Sequence, residues 1–355
     1  MKILDKYLLK SIFRTSLLVL FSLVLVFAFF QFIEELNEVH EKNYPLESAI
    51  KYILFLFPSY FNSLLVLALM IGTVFSIGQL NSDKELQIFH VASISQRNLI
   101  EKIIKYPFLI SIVLILLFEL IAPNALSFAN QMKDQALGRN SIQNTSDYWS
   151  KKNNDILLLS KAKDNKYDLR LFNIKNNNLL SYIDSKGAYF SGMNLITGDS
   201  KKIQFQKNDN LIIPIESISQ YNIDFKLDLE EVKSLSKNLK TISLFKLVKI
   251  LSLSYQNQTN RNEIILELIS RIIKPFTLIG MILITVSYIL DFQRNISIGK
   301  RVFISIVIGT ITHLFTKISS VISLKFDAMI AIGPILPTLI LIMIGMLLVK
   351  IKIRP

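Results

Sequence analysis

The sequence contains no cysteine and only three histidines among its 355 residues. Without cysteine the chain can form neither disulfides nor thiolate metal sites. The histidines are His40, His90 and His313, which lie too far apart in the chain to act as zinc ligands from one helix face. A phosphate-binding glycine loop is also missing, because Gly299-Lys300 is followed by Arg301 where the motif requires Ser or Thr. Nor does the sequence contain a G-x-S-x-G motif or a Cys/His pair, so it offers no recognisable catalytic site.

Charged residues are absent from long stretches, whereas a soluble chain would show one every few residues. A bilayer-spanning helix needs about 20 apolar residues, and three stretches meet this requirement with no charge at all. Three others contain one charge or are built from two adjoining apolar runs. The six segments lie between Arg14 and Glu34, at Tyr52–Ser82, at Tyr106–Met132, at Pro275–Leu290 with Ile264–Ile273, at Val302–Leu324 and at Ala328–Val349. We therefore predict six transmembrane helices, and the first is too long for a cleavable signal peptide.

A net charge of +13 is found in many nucleic-acid-binding proteins, but in a membrane protein it more often comes from basic cytoplasmic loops next to anionic lipid headgroups. We therefore expect no nucleic-acid partner. Lysine and arginine gather at four places that alternate correctly with the helix count: before helix one, between helices two and three, between helices four and five, and at the end of the chain. Both termini are therefore predicted to be cytoplasmic, in a bacterial inner membrane, and the long segment between helices three and four is predicted to be external.

The external segment, roughly residues 131–260, has the alternating pattern of half-buried strands. The clearest cases are Tyr167–Ile174 and Asn222–Leu229. Shorter candidates are Ile156–Ser160, Leu179–Asp184, Lys202–Lys207 and Leu211–Ile215, separated by turn sequences such as Thr197-Gly198-Asp199-Ser200. The predicted fold is thus an α-helical membrane domain (1–130 and 261–355) with an inserted all-β domain of jelly-roll type (131–260). A short helix at Leu244–Leu253, after Ser243, would return the chain to the membrane.

Three features could carry function. In the cytoplasmic loop at residues 81–105, Leu86 and Phe89 recur near helical spacing, which fits either a helix docked into an ATPase groove or one resting on headgroups. Glu119 is an acidic residue deep in helix three, and it is interpreted as a coupling residue or as a structural hydrogen bond to a neighbouring helix. His313 and Lys317 share a face of helix five, where Lys317 could reach the interface or contact a substrate phosphate.

Several short motifs occur in a fixed order around this layout. They are Leu4-Asp5-Lys6-Tyr7, Phe32-Ile33-Glu34-Glu35-Leu36, Glu85-Leu86, Glu119-Leu120-Ile121-Ala122-Pro123, Tyr148-Trp149-Ser150-Lys151, Lys274-Pro275, Arg294 through Gly299 to Arg301, and Leu336-Pro337. In this order the chain resembles the LptF/LptG permease family, the membrane subunits of the lipopolysaccharide export ABC transporter. The first motifs are more similar to the LptG branch than to the LptF branch.

The resemblance implies a transport subunit and not an enzyme. A paralogous LptF-like permease would complete a cavity for lipopolysaccharide, with helices one and five at its lateral gates. An LptB-like ATPase dimer would supply ATP and magnesium, so that this chain needs no cofactor or metal of its own. LptC-like and LptA-like proteins would receive the lipid beyond the β domain, and membrane lipids would surround the helices.

The resemblance also assigns residues. The coupling glutamate of the family falls on Glu85, which with Leu86 and Phe89 would contact the ATPase through a coupling helix at about 81–95. The predicted gate and cavity residues are Phe27, Phe30 and Gln31 on helix one, and Thr310, His313, Leu314 and Lys317 on helix five. Family members often carry lysines near the outer end of helix one, where this chain has Gln31, Asn37 and Glu38. Three alternatives stay open: a membrane-anchored enzyme acting on an envelope lipid, a permease for another lipid or lipoprotein, and a receptor or scaffold without transport.

Overall fold

A computed structural model describes residues 2–42, 44–83, 85, 96–138, 148–152, 154–161, 166–175, 178–191, 194–205, 212–218, 222–223, 239–253, 258–289, 298–325 and 329–353. The chain divides into two compact units. One consists of Met1–Glu41, Ala49–Ala129 and Leu266–Pro355, and the other of Lys42–Ser48 and Asn130–Ile265. The first unit is helical and the second contains the β-strands.

Among the described residues, six helices are long and apolar enough to cross a membrane. They are α1 (Lys2–Lys42), α2 (Leu46–Ser82), α3 (Gln96–Ala136), α5 (Gln258–Ile289), α6 (Ile298–Ser323) and α7 (Ile332–Ile353). A shorter helix, α4 (Leu244–Leu253), precedes α5 and begins after Ser243, whose carbonyl accepts the Leu247 amide at 2.9 Å. The six predicted spans and the short helix are confirmed, and this is a membrane protein.

The helices differ greatly in how much of their apolar surface the chain itself covers. In α2, 72% of the residues of its most apolar stretch are buried, against 22% in α1, 17% in α6 and 28% in α7. The central cluster joins α2 with parts of α1, α3 and α5, through residues such as Leu65, Leu69, Ile103 and Leu278. Therefore α2 is the core helix of this unit, and α1 and α6 are peripheral helices.

The peripheral helix α1 meets α2 along a narrow seam. Its buried positions recur every four residues: Leu8, Ile12, Ser16, Leu20, Val24 and Ala28. Small residues allow the backbones to approach, because a Cβ placed on Gly72 of α2 would overlap the backbone of Ser16. Beside this point, the Thr15 hydroxyl donates to the Gly72 carbonyl at 2.9 Å, and the hydroxyls of Ser11 and Ser76 are 2.8 Å apart.

The β unit contains an antiparallel sheet whose strands are joined mostly in sequence order. The strands are β1 (Tyr148–Lys152), β2 (Asp155–Lys161), β3 (Tyr167–Lys175), β4 (Asn178–Ser191), β5 (Asn194–Ile196), β6 (Asp199–Phe205), β7 (Ile212–Ile218) and β8 (Asn222–Ile223). The order β1-β2-β3-β4-β5-β8 forms one path, while β6 pairs with β4 and β7. This inserted sheet confirms the predicted all-β domain.

The long strand β4 pairs with β3 on one side and divides its other side between two partners. Its residues Ser181–Lys186 pair with β6, and Tyr189–Ser191 pair with β5. Between these two sets lies Gly187, whose φ of 76° is readily adopted only by glycine. The parts of the strand on either side of this residue therefore pair with different neighbours.

Most strand predictions hold, with differences at the ends. Strands β1 and β5 were not predicted as strands, and β4 is longer than Leu179–Asp184. The turn predicted at 197–200 is wrong for its second half, because Asp199 and Ser200 begin β6, where they pair with Lys186 and Ser185. Ser200 is buried there, so packing overrides its turn preference. Of the predicted strand Asn222–Leu229, only Asn222–Ile223 lie within the described residues.

Candidate functional site

The outward face of α1 is a continuous apolar surface. Its aromatic and aliphatic side chains lie off the α2 seam and include Phe13, Leu17, Phe21, Leu25, Phe29 and Phe30, each 41–65% exposed. The predicted gate residue Phe30 is the most exposed of these, at 65%. Phe27 is exposed but also borders α2, with its ring centroid 6.3 Å from that of Tyr60.

Gln31, predicted to line the cavity, takes part in contacts within the chain. The Tyr60 hydroxyl donates to its Oε1 at 3.0 Å, and its Nε2 donates to Glu35 Oε1 at 3.2 Å. Glu35 is fully buried on the seam side of α1. These two hydrogen bonds attach α1 to α2 beside the exposed phenylalanines and orient Gln31 toward α2.

The four residues predicted on helix five share one outward face of α6. Thr310, His313, Leu314 and Lys317 are all exposed and follow helical spacing. The Thr310 hydroxyl donates to the Ile306 carbonyl at 2.9 Å, within its own helix. On another side of α6, Gly309 faces Leu67 and Met70 of α2, so a side chain at this position would overlap Leu67. Thus α6 approaches the core through a small residue and leaves the predicted face open.

A buried charge cluster joins α2, α3 and α5. Glu119 on α3 is 3% exposed and forms an ion pair with Arg271 on α5 through its Oε1. The Asn62 amide on α2 donates to Glu119 Oε2 at 3.4 Å, and Arg271 Nε donates to Glu267 Oε1 at 2.8 Å. One guanidinium therefore bridges two carboxylates inside the membrane unit, in the paired arrangement that buried charges require.

At the opposite end of the helices from Glu35, polar contacts connect α1 with the segment between α2 and α3. The Tyr7 hydroxyl donates to Glu85 Oε2 at 2.8 Å. Lys102 Nζ, in α3, lies 2.5 Å from Asp5 Oδ1. The other two predicted coupling residues, Leu86 and Phe89, lie outside the described residues.

Comparison with known proteins decides the family. The profile of the family described as "Lipopolysaccharide export system permease LptF/LptG" matches residues 6–350 of this chain. The chain belongs to the LptF/LptG permease family. It is 23% identical to the Escherichia coli (strain K12) lipopolysaccharide export system permease protein LptG, over 99% of this chain and 98% of that protein. It is 21% identical to the Haemophilus influenzae protein of the same name, over 96% of each chain.

The LptF/LptG motifs noted in the sequence supply many of these polar contacts. Asp5 and Tyr7 come from the first motif, Glu35 from the second and Glu119 from the fourth. Asp5 contacts α3, Tyr7 contacts Glu85, Glu35 contacts Gln31 of its own helix, and Glu119 contacts α5. In this chain the motif residues therefore take part in contacts within the permease itself.

Sequence reasoning missed the partner of Glu119. It joined Pro275–Leu290 to Ile264–Ile273 as one membrane segment, which α5 confirms, but it did not single out Arg271 within that segment. The spacing of Glu267 and Arg271, four residues apart, is that of a helical ion pair and was a usable signal. Nothing in the sequence alone indicated that Arg271 would meet Glu119, which lies 152 positions earlier.

Proposed function

We propose that this chain is the membrane-spanning subunit of an exporter that extracts lipopolysaccharide from the bacterial inner membrane and passes it toward the outer membrane. The observation that carries the proposal is the pair of helices with least covered apolar surface, α1 and α6, in a chain of the LptF/LptG family. A helix that is apolar all round is covered either by lipid or by another chain. These are also the two helices that the family resemblance assigns to the lateral gates.

The substrate would pass along the outward face of α1 and the predicted face of α6. Phe27 and Phe30 offer an apolar wall suited to acyl chains, and His313 and Lys317 offer the cationic or polar side chains that suit lipid phosphates. Between α1, α2 and α3 there is also a cavity of about 230 Å³, lined by apolar side chains that include Phe21, Leu65 and Phe118. A second, LptF-like permease would close the path opposite these surfaces.

The orientation follows from charge. Basic residues cluster before the apolar part of α1, from the end of α2 into the first turns of α3, around the start of α6 and at the end of α7, and such positions stay on the cytoplasmic side. Both termini are then cytoplasmic, and the β unit is periplasmic. There it would hand lipopolysaccharide to LptC-like and LptA-like proteins.

Energy would come from an LptB-like ATPase dimer that holds ATP and magnesium, with this chain binding no cofactor or metal. The contact would be the segment between α2 and α3, where Glu85 offers a carboxylate to a basic residue of the ATPase, and Leu86 and Phe89 offer apolar contact. Membership of a permease family disfavours the alternative of an envelope-lipid enzyme.

Photo-crosslinking tests the substrate path. A photoreactive amino acid is introduced at Phe30 on α1 or Leu314 on α6, and matched controls carry it at Leu117 on α3 and Leu347 on α7, which are exposed to a similar degree. In cells, lipopolysaccharide adducts should form at the first two positions and depend on ATP hydrolysis. Equal labelling at all four positions would show that α1 and α6 are ordinary lipid-facing helices and would overturn the assignment.

A further inference from the structure

The first two turns of α1 make polar contacts with Glu85 and with α3. Tyr7 reaches Glu85 just after the end of α2, through a 2.8 Å hydrogen bond between residues 78 positions apart. Asp5 reaches Lys102 near the start of α3, at 2.5 Å. The two α1 residues are two positions apart, about 200° around a helix, so their side chains leave on nearly opposite sides. The start of α1 is therefore held by Glu85 on one side and by Lys102 on the other.

Apolar packing directly beneath these contacts holds α1, α2 and α3 together. Leu8 and Ile12 of α1 are fully buried, in one cluster with Leu80 of α2 and with Leu99 and Ile103 of α3. The Asp5–Lys102 pair is partly covered, with Lys102 16% exposed and Asp5 33% exposed. The packed cluster fixes the positions of the polar groups next to it. Displacing one of these three helices therefore displaces the others.

We propose that Tyr7 and Asp5 are positioning residues that fasten Glu85 and the start of α3 to α1, so that displacement of Glu85 by a docked ATPase is transmitted directly to the gate helix. This inference rests on the proposed function, in which Glu85 meets the ATPase and α1 lines the substrate path. The Tyr7 phenol is a neutral donor, and it orients the carboxylate without cancelling its charge. Because a carboxylate accepts through both oxygens, Glu85 Oε1 can still receive a cationic donor from the ATPase.

The test uses the complete transporter in liposomes and measures lipopolysaccharide moved per ATP hydrolysed. Tyr7→Phe removes only the hydroxyl, and Tyr189→Phe makes the same chemical change at an exposed position of β4. Tyr7→Phe should reduce transport per ATP by about two- to tenfold, the factor expected from the loss of one hydrogen bond. Tyr189→Phe should leave it unchanged. Asp5→Asn, which removes the charge paired with Lys102, should act in the same direction as Tyr7→Phe.

Two further variants separate the failure of this inference from the failure of the proposed function. Glu85→Arg should weaken ATPase association, and unchanged association would refute the coupling role itself. In a Glu85→Ala background, Tyr7→Phe should cause no further loss, because its partner is gone. If Glu85→Arg uncouples the complex while Tyr7→Phe and Asp5→Asn keep parental transport per ATP, the fastening role of α1 is refuted and the docking role stands.

Discussion

Breaking the buried pair of Glu119 and Arg271 on one side should strongly destabilise the helical unit. Replacing Arg271 by Met leaves Glu119, which is 3% exposed, and Glu267, whose side chain is 22% exposed, without their shared cation. Breaking a buried pair by removing one partner costs about 3–5 kcal/mol, because an uncompensated charge remains. Glu119→Gln should cost less, about 1–3 kcal/mol, since Arg271 keeps Glu267 and Asn62 can still bond the new amide.

The measurement is reversible unfolding of the purified chain in mixed micelles of a mild detergent and SDS, followed by far-UV circular dichroism. Lys317→Met is the control, because it removes an exposed charge from another membrane helix. The double variant Glu119→Gln, Arg271→Met should lose less free energy of unfolding than the two single variants together. If Arg271→Met is no more destabilising than Lys317→Met, or if the two single effects simply add, the reasoning from burial is wrong.

The same variants decide between the two roles considered for Glu119. A structural pair predicts that Glu119→Gln lowers the free energy of unfolding while transport per ATP in the assembled complex stays at the parental value. A coupling residue predicts the reverse, with transport lost at unchanged stability. The contacts favour the structural role, because both carboxylate oxygens of Glu119 are engaged by neighbouring helices.

Three further predictions concern packing and titration. Gly72→Ala should destabilise the α1 seam by about 1–3 kcal/mol in the same micelle assay, whereas Gly299→Ala should not, since a Cβ placed there has no neighbouring atom within 4 Å. Leu169→Ala, at a fully buried position of β3, should cost about 2–5 kcal/mol, measured by denaturant titration of Trp149 fluorescence, and Leu179→Ala at an exposed position much less. Burial raises the pKa of Tyr167 above its ordinary value. Because the phenol then ionises first in the unfolded state, the β unit should lose stability as the pH rises through about 10. The variant Tyr167→Phe, compared by the same denaturant titration at each pH, should show a smaller loss.

The membrane helices could be predicted from the sequence because composition alone determines them. An apolar stretch long enough to cross the bilayer must satisfy its backbone hydrogen bonds internally, and a helix is the simplest way to do so. The ends were harder to predict, since α1 runs from Lys2 to Lys42 and extends well beyond the uncharged stretch between Arg14 and Glu34. Charged residues end the apolar stretch, but they do not end a helix.

The pairings between distant residues could not be predicted from one sequence. Each pairing depends on which helix faces are adjacent in the folded protein. The periodicity of a sequence shows which residues share a face, but it does not show which other helix that face contacts. The pairings concerned are Tyr7 with Glu85, Asp5 with Lys102 and Glu119 with Arg271. The β domain shows the same limit. Alternation located β3, but nothing in the pattern of β4 showed that its two halves pair with different strands on either side of Gly187.

The way α1 is held suits a helix that has to move. It contacts α2 along one narrow seam through small residues such as Ser16 and Gly72, and much of its remaining surface is not covered by this chain. Sliding α1 disturbs the one row of side chains that it contributes to the core cluster, whereas sliding α2 would disturb many more of its members. The firm attachments lie at the first two turns, through Asp5 and Tyr7, and near the other end, through Gln31. In the proposed cycle, force from the ATPase therefore enters α1 at its cytoplasmic end and moves the apolar face that carries Phe30 against the lipid substrate.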